Sequence, residues 1–436
     1  MKKVKSNSRR HCKDDKPEII TLGCRLNTCE SEIIRAHAVA AGLDSQTLIL
    51  NTCGVTSEAV RQASQTIRRH RRTNSNAKII VTGCAAQVEP LRFSKMPEVD
   101  YVIGNSEKLQ ANTFLDLAND EAKPIQVKDI MTVSETTGHI IENFASRTRA
   151  YVKIQNGCDH RCTFCIIPFG RGKSRSVPEK DILAQICHYV EAGYREVILT
   201  GVDITSYGND LTELASLGSL VRKILNNVPE LERLRLSSID QIEVDRELLD
   251  CIANESRFMP HLHLSLQAGH DLILKRMKRR HRRDDAIRFC KHVRSLRPDI
   301  VFGADLIAGF PTETEQMFEA TLDIIEACNL TYLHVFPFSP RTGTPAARMP
   351  QLDRQVIKQR SASLREKGAN QLKNFLNSQQ GLELDVLLEN NNLGRTPHFA
   401  QVKVIQSIKQ NIPPGTTIRM KIIDHDTKCL FAEQAL

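Results

Sequence analysis

Three cysteines in the segment NGCDHRCTFC, Cys158, Cys162 and Cys165, stand four and then three residues apart. Thiolates held that closely on one loop are metal ligands by residue type. A structural zinc site is closed and tetrahedral and takes four protein ligands, whereas this loop offers three. A cubane 4Fe-4S cluster needs one ligand per iron, so three thiolates leave one iron open for another partner. His160 lies inside the loop, but an intervening residue cannot easily reach a metal that its neighbours grip. The loop is too polar to suit three buried structural cysteines. A second trio, Cys24, Cys53 and Cys84, is spread over 60 residues, so its spacing alone says little. Its placement says more, because each thiol closes a short apolar or β-branched run: EIITLGC, LILNTC and KIIVTGC. An open parallel sheet gathers ligand groups at the carboxyl ends of its strands, where three thiols could hold a second open-sited cluster; buried core cysteines are the alternative. Cys29 has no strand terminus beside it and is read as packing.

The elements that must position these thiols follow from periodicity. Short apolar runs alternating with helical spans describe parallel strands between helices, and the segments after Cys24 and Cys53 have helical spacing. Residues 17–120 therefore form an open α/β domain, preceded by a basic disordered tail over 1–16 and followed by a linker over 121–143. A second series, AYVKIQ, EVILTG, RLRLSS, HLHLSLQ, VFGADLIAGF and YLHVFPFS, has six runs, each separated from the next by a span able to hold a helix. Six strand–helix units imply a partial (β/α)6 barrel over 144–375, with its reactive site where the strands end. The stretch from 351 to about 380 is helical and is stopped at Gly381. Four alternating strands, LELDVLLE, FAQVKVI, TTIRMKII and CLFAEQ, then form a small antiparallel β-barrel over 376–436. The fold class is α/β with that barrel at the carboxyl end.

The 436 residues carry 60 Lys+Arg against 51 Asp+Glu, a net charge of +9 whose clustering favours a polyanionic partner, with nucleic acid first. Thirteen cysteines at low density, without a signal-peptide core, argue for reduced thiols and a cytoplasmic location. No apolar run approaches the roughly 18 residues that a membrane span requires. The run KRMKRRHRR over 275–283 places seven cations in nine positions, Lys275, Arg276, Lys278, Arg279, Arg280, Arg282 and Arg283, with no acid among them. Phosphate contact is the favoured reading, and a solvated helix face the plain one. IRRHRR over 67–72 is weaker, since a helix end attracts such charges unaided. Phe399, Phe169 and Tyr207 are the aromatic residues on which base stacking would rest.

CxxxCxxC closing the first strand of a six-unit barrel, with Phe164 before its last cysteine, resembles the radical S-adenosylmethionine (SAM) superfamily. TLGCRLNTCESE, LILNTCGVTSEA and VTGCAAQ resemble the three cysteine segments of its methylthiotransferases. LTGVDITSYGND, LRLSSID, HLHLSLQAGHDLILKRMKRRH, DLIAGFPTETE and HVFPFSPRTGTPAARMP follow in that family's order, and the terminal barrel resembles a TRAM RNA-binding module. The resemblance runs over about 17–436. AYVKIQNGC and IIPFGRGKSRS are most similar to the branch acting on threonylcarbamoyladenosine beside the tRNA anticodon. Branches acting on isopentenyladenosine, or on a ribosomal-protein aspartate, are the alternatives. Three departures stand out: Thr312 where GFPGET has glycine, the altered TRAM start NNNLGRTPHFAQV, and ASRTRA in place of GRTRA.

The resemblance implies two 4Fe-4S clusters, on Cys158, Cys162 and Cys165 and on Cys24, Cys53 and Cys84. In that family the open iron of the first binds SAM, and an electron from the cluster cleaves the sulfonium to a 5′-deoxyadenosyl radical that activates carbon two of adenine. A second SAM methylates sulfur held on the other cluster. Such a bond to hydrogen is beyond general acid–base groups, so a cofactor must carry the step. Barrel geometry assigns the SAM cradle to Thr200, Gly201, Val202 and Asp203, to Ser237 and Ser238, to Gln267, and to the stretch from Leu306 to Gly309. Arg341 could anchor a carboxylate or phosphate, or sit in a surface salt bridge. The implied partners are tRNA and a reductant such as flavodoxin or ferredoxin; the sulfur donor is not encoded. The rival of another class is a non-catalytic RNA-binding protein with structural zinc, and an electron carrier is a third.

Overall fold

The computed structural model describes residues 15–134, 148–212, 215–390, 392–405 and 412–435. The basic tail expected over 1–16 lies almost wholly outside the described residues, as does the 135–143 part of the expected linker. The chain divides into two compact units, Met1–Ile130 and Met131–Leu436.

The first unit is a five-stranded sheet, β1 (Glu18–Thr21), β2 (Thr47–Thr52), β3 (Lys78–Gly83), β4 (Tyr101–Ile103) and β5 (Ile125–Gln126), parallel throughout and ordered β1-β2-β3-β4-β5. Alternation along β2 and β3 sends Leu48, Leu50, Ile79 and Val81 to one face and Ile49 and Ile80 to the other. Helix Ser57–Thr73 packs on the first face, and helices Arg25–Ala40 and Ala111–Ala118 on the second. Both faces are covered, which is why these strands read as continuous apolar runs. The Ser57–Thr73 helix is set by Thr56, whose hydroxyl accepts from the Ala59 amide at 3.1 Å, by Glu58 in its first turn and by His70, Arg71 and Arg72 in its last. β5 falls inside the span read as a linker; with two residues it is too short to leave a periodic signal.

The second unit contains a partial barrel. Its strands are β6 (Arg149–Lys153), the short hairpin pair β7 (Gln155–Asn156) and β8 (Arg175–Ser176), then β9 (Glu196–Thr200), β10 (Arg233–Leu236), β11 (His261–Gln267), β12 (Val301–Ala308) and β13 (Leu330–Pro337). β6, β9 and β10 form one parallel sheet and β11, β12 and β13 another. Parallel bridges Leu234↔Phe258 and Ile239↔Leu264 join the two into one curved wall of six strands. All six apolar runs of the sequence are strands of that wall. Phe302 packs edge-on against Phe289 of the outer helix Arg283–Leu296, so its alternates on β12, Gly303, Asp305 and Ile307, face the lumen.

The lumen floor is charged. Glu196 is fully buried, with Arg235 at 3.0 Å and Arg149 and Arg233 each at 3.8 Å. Burial raises its carboxyl, but the three guanidinium charges outweigh that and hold it below the usual range. Arg233 and Arg235 donate onward to the carbonyls of Asp385 and Thr396 in the terminal barrel, at 2.8 and 3.1 Å. From that barrel Phe399 stacks on His261 at 5.4 Å beneath the guanidinium groups of Arg149, Arg235 and Arg395. Phe399 is therefore a plug rather than a free stacking platform.

The terminal barrel is closed, with β14 (Glu383–Asn390), β15 (Leu393–Arg395), β16 (Gln401–Val404), β17 (Thr417–His425) and β18 (Leu430–Gln434) ordered β14-β15-β16-β18-β17. It has five strands rather than the four expected, because LGR, inside a stretch read as a turn, pairs on both sides. The helix Arg354–Ser378 runs into its core through Leu372, Phe375 and Leu376, so a boundary at 375/376 would cut that helix.

Candidate functional site

In the first unit the register of β1, β2 and β3 pairs Thr21 with Asn51 and Thr52 with Gly83, which brings the three following loops side by side. Contact distances show how close they come. A Cβ on Gly23 would sit 2.8 Å from Cβ and 3.0 Å from Sγ of Cys53, and one on Gly54 would lie 3.2 Å from the Cys84 carbonyl carbon. Cys24, Cys53 and Cys84 thus belong to three touching loops, with exposure rising from buried Cys84 through Cys53 to exposed Cys24. Cys24 stands just before helix Arg25–Ala40, and Cys84 begins the short helix Cys84–Val88. Asn105 donates to the Cys84 sulfur at 3.8 Å. Beneath lies a buried ion pair, Lys108 with Glu30 at 2.7 Å, and Lys108 also donates to Asn51 at 3.3 Å. This donor set, sulfur on three touching loops with the Asn105 side-chain N–H beside it, fits an anionic metal–sulfur cluster. Cys29 is buried in helix Arg25–Ala40, away from any strand end.

In the second unit Cys158, Cys162 and Cys165 are half-buried on the loop after β7, at the mouth of the partial barrel. Burial pushes the Cys158 thiol up, Asp203 and the other two sulfurs adding to the effect, so as thiolates the three repel and call for a cation among them. The loop is clamped from both sides. The Gln155 side chain donates to the Gly157 carbonyl at 2.8 Å and to Ser174 at 2.9 Å, and its oxygen accepts from the Val202 and Asp203 amides at 3.1 and 2.8 Å. Thr163 donates to the Arg276 carbonyl, 2.7 Å, and its amide to that of Met277, 3.1 Å.

His160 Nε2 lies 2.9 Å from Asp203 and 3.7 Å from Glu243, and ligand atoms of His160, Asp203 and Cys158 lie within 4.8 Å of one another. Those two carboxylates raise its imidazole to about 10, Asp203 contributing most. Asp203 also sits 3.7 Å from the Cys158 sulfur.

The strand-end residues expected to cradle SAM divide. Thr200, Gly201, Val202 and Asp203 form the turn held by Gln155, and a Cβ on Gly201 would press on Gln155 at 2.7 Å. Ser237 and Ser238 follow β10, and the Ser237 hydroxyl is buried without a hydrogen-bond partner, the condition expected where a polar ligand completes the site. Gln267 ends β11 with φ at +71°, backbone strain for a non-glycine residue. Leu306 lies on the outer face of β12, and it is Ile307 that looks inward, packing in one apolar cluster with Phe164 of the cysteine loop. Gly309 (φ +73°) turns tightly against Ile357 and donates its amide to Glu313 at 3.1 Å. Arg341 is buried, which removes the surface salt-bridge reading.

The basic run is not one face. It is split between helices Asp271–Arg276 and Arg283–Leu296, with a turn at Lys278 (φ +59°). Arg276 donates to Thr312, Arg283 to the Gly269 carbonyl at 3.1 Å, and Arg280 pairs with Glu243. Arg279 pairs with Asp240 at 2.7 Å and reaches the Cys162 sulfur at 3.8 Å. Lys275, Lys278 and Arg282 remain exposed. Of the aromatic candidates, Tyr207 is buried, its hydroxyl donating to Val177 at 3.0 Å, and Phe169 is half exposed. Gln155, Asp240 and Glu243 escaped the sequence reading; only Gln155, three residues before Cys158, carried a positional signal.

A six-stranded parallel partial barrel with three thiols at its mouth defines the radical SAM class, and the model described as "Radical SAM superfamily" matches residues 152–325. A second model, "Uncharacterized protein family UPF0004", matches residues 16–104. The chain is 51% identical to the threonylcarbamoyladenosine tRNA methylthiotransferase MtaB of Rickettsia prowazekii, over 89% of this chain and 91% of that one. It is 37% identical to the protein of that name from Thermotoga maritima, over 76% of each chain, and 32% identical to a tRNA-2-methylthio-N(6)-dimethylallyladenosine synthase of Cereibacter sphaeroides, over 95% and 98%. The radical SAM methyltransferase TsrM of Kitasatospora setae shares the fold at a TM-score of 0.55 and 13% identity, over 76% and 77% of the two chains. The chain belongs to the radical SAM tRNA methylthiotransferase family.

Proposed function

We propose that the chain transfers a methylthio group to carbon two of threonylcarbamoyladenosine beside the tRNA anticodon. The reading rests on two thiol trios, one local and one assembled by a parallel sheet, in a chain 51% identical to a relative named for that reaction. Cys158, Cys162 and Cys165 would hold one 4Fe-4S cluster, and Cys24, Cys53 and Cys84 the other. When bound, such clusters supply one-electron cleavage of SAM at the first and sulfur for transfer at the second.

The rest is work for the chain's own residues. Gln155 ties the cysteine loop to the Thr200–Asp203 turn, so both edges of the SAM pocket move together. His160 is held by Asp203 and Glu243 beside the cysteine loop. Ile307 and Phe164 form an apolar wall that keeps water from a radical. Phe399 and the Glu196 ion cluster close the lumen below. Lys275, Lys278 and Arg282, with the terminal barrel, would meet RNA phosphates. Among the described residues no helix is long and apolar enough to cross a membrane; the proposed setting is the cytoplasm, with tRNA and a flavodoxin- or ferredoxin-type reductant.

Nucleoside mass spectrometry of tRNA from a deletion strain tests the substrate. Loss of 2-methylthio-threonylcarbamoyladenosine, restored by the gene, is expected. Loss of the isopentenyl derivative instead would contradict it.

A further inference from the structure

Between the plug at the lumen floor and the apolar wall beneath the cysteine loop lies one polar layer that the reaction described so far leaves unused. His263 on β11, Asp305 on β12 and His334 on β13 occupy neighbouring strands and present their ligand atoms within 4.8 Å of one another. Their position is fixed from both sides. His261, two residues before His263, stacks on Phe399 of the plug, while Ile307, two residues after Asp305, packs with Phe164. Gly303 is bare because the His263 ring fills its place, a Cβ there lying 3.3 Å from the imidazole Cε1.

One carboxylate oxygen, Asp305 Oδ1, takes both imidazoles, His263 Nε2 at 2.9 Å and His334 Nδ1 at 3.2 Å. Burial alone would raise that carboxyl, but the two histidines hold it well below the usual carboxylate range, so it is ionised and can only accept. Each histidine must then turn an N–H toward it. A neutral His334 ring bonded in this way keeps Nε2 as its acceptor. His263 is 8% exposed but His334 is 61% exposed, on the strand that borders the open side of the partial barrel.

We propose that His334, oriented by Asp305 and His263, is a specificity-determining residue that accepts a hydrogen bond from a polar donor on the N6 substituent of the substrate adenine. The donor is a ureido N–H or a hydroxyl, both present in a threonylcarbamoyl group and absent from a dimethylallyl one. This inference rests on the substrate reading above. An acceptor at the rim favours a substrate that carries a matching N–H or O–H over an analogue without one, because only the first replaces the hydrogen bond the ring otherwise makes to water.

The test measures binding rather than turnover. Anaerobically reconstituted full-length protein is titrated with anticodon stem-loops carrying threonylcarbamoyladenosine or isopentenyladenosine. Wild type should prefer the first. His334→Leu should weaken that loop roughly tenfold or more and leave the second within about twofold, and Asp305→Asn should move the same way. His334→Gln, which keeps an acceptor, should recover part of the loss. The inference is overturned if His334→Leu keeps the wild-type preference, or if both loops weaken equally. It is also overturned if the protein holds one equivalent of zinc that Asp305→Asn removes, since the trio would then be a metal site. A wild-type protein with no preference sinks the substrate reading itself, whereas a preference that survives His334→Leu sinks only the role of His334.

Discussion

The two thiol trios solve one problem by opposite routes. In the barrel, three thiols come from eight consecutive residues, and the fold's task is to brace a loop already closed in sequence. In the open sheet, three thiols spread over 60 residues meet because three parallel strands end at one level, and each loop touches the next. A local site survives small displacements of its scaffold. A site made by strand register has no existence apart from it.

The sharpest way to break the comparison is to remove one thiol from each trio. Cys162→Ala should lower iron from about eight atoms per chain to about four and abolish 5′-deoxyadenosine formation; Cys53→Ala should lower iron equally yet keep that cleavage while ending thiolation. Equal loss of cleavage in both variants would dissolve the distinction. Next come two glycines in the left-handed region. Gly83 (φ +97°) would drive a Cβ into the Thr52 backbone, and Gly157 (φ +78°) into the Lys173 carbonyl. Each alanine substitution should cost about 3 kcal/mol or more in its own unit. Chemical unfolding followed by iron content should show Gly83→Ala losing the sheet's cluster and Gly157→Ala the barrel's.

Gln155→Ala tests the brace alone. It removes the hydrogen bonds that join the cysteine loop to the next strand's turn, and the KM for SAM should rise about tenfold while iron content holds. Smaller still is the effect of pH on the same corner. Burial opposes the Glu243 charge, but His160 and Arg280 bring its carboxyl down to about 2 from an ordinary 4.5. Its stabilising share is complete above about pH 4.5 and fades as pH falls toward 2, so the Tm deficit of Glu243→Gln should shrink over that window. The smallest effect belongs to Thr312→Gly. Thr312 holds φ at +67°, unfavourable for a β-branched residue, and its hydroxyl accepts from Arg276 at 2.7 Å. Relief of strain and loss of that bond oppose each other, and calorimetry should find a net change within about 1 kcal/mol.

The same contrast explains what could be read from the chain. Six barrel strands and the CxxxCxxC loop were legible because burial on both faces leaves continuous apolar runs and the ligand spacing is local. The sheet trio was legible only as three runs that each end in cysteine. Strands β5 and β15 escaped because two or three residues carry no period. The basic run misled in part. Charge is visible in sequence, but whether a guanidinium meets solvent, a carbonyl or a thiol depends on partners far along the chain, as Arg279 does with Asp240 and Cys162. Thr312 runs the other way: a departure visible in the sequence acquired its physical cause only with the backbone angle.

The central claim is that three protein sulfurs leave one iron open at the barrel mouth. Electron–nuclear double resonance on the reduced protein with SAM labelled at its amino nitrogen addresses it directly. The account predicts a coupling from that label in wild type and in Cys53→Ala, and none in Cys162→Ala. A wild-type spectrum without the label, showing a histidine nitrogen on the iron instead, would contradict it.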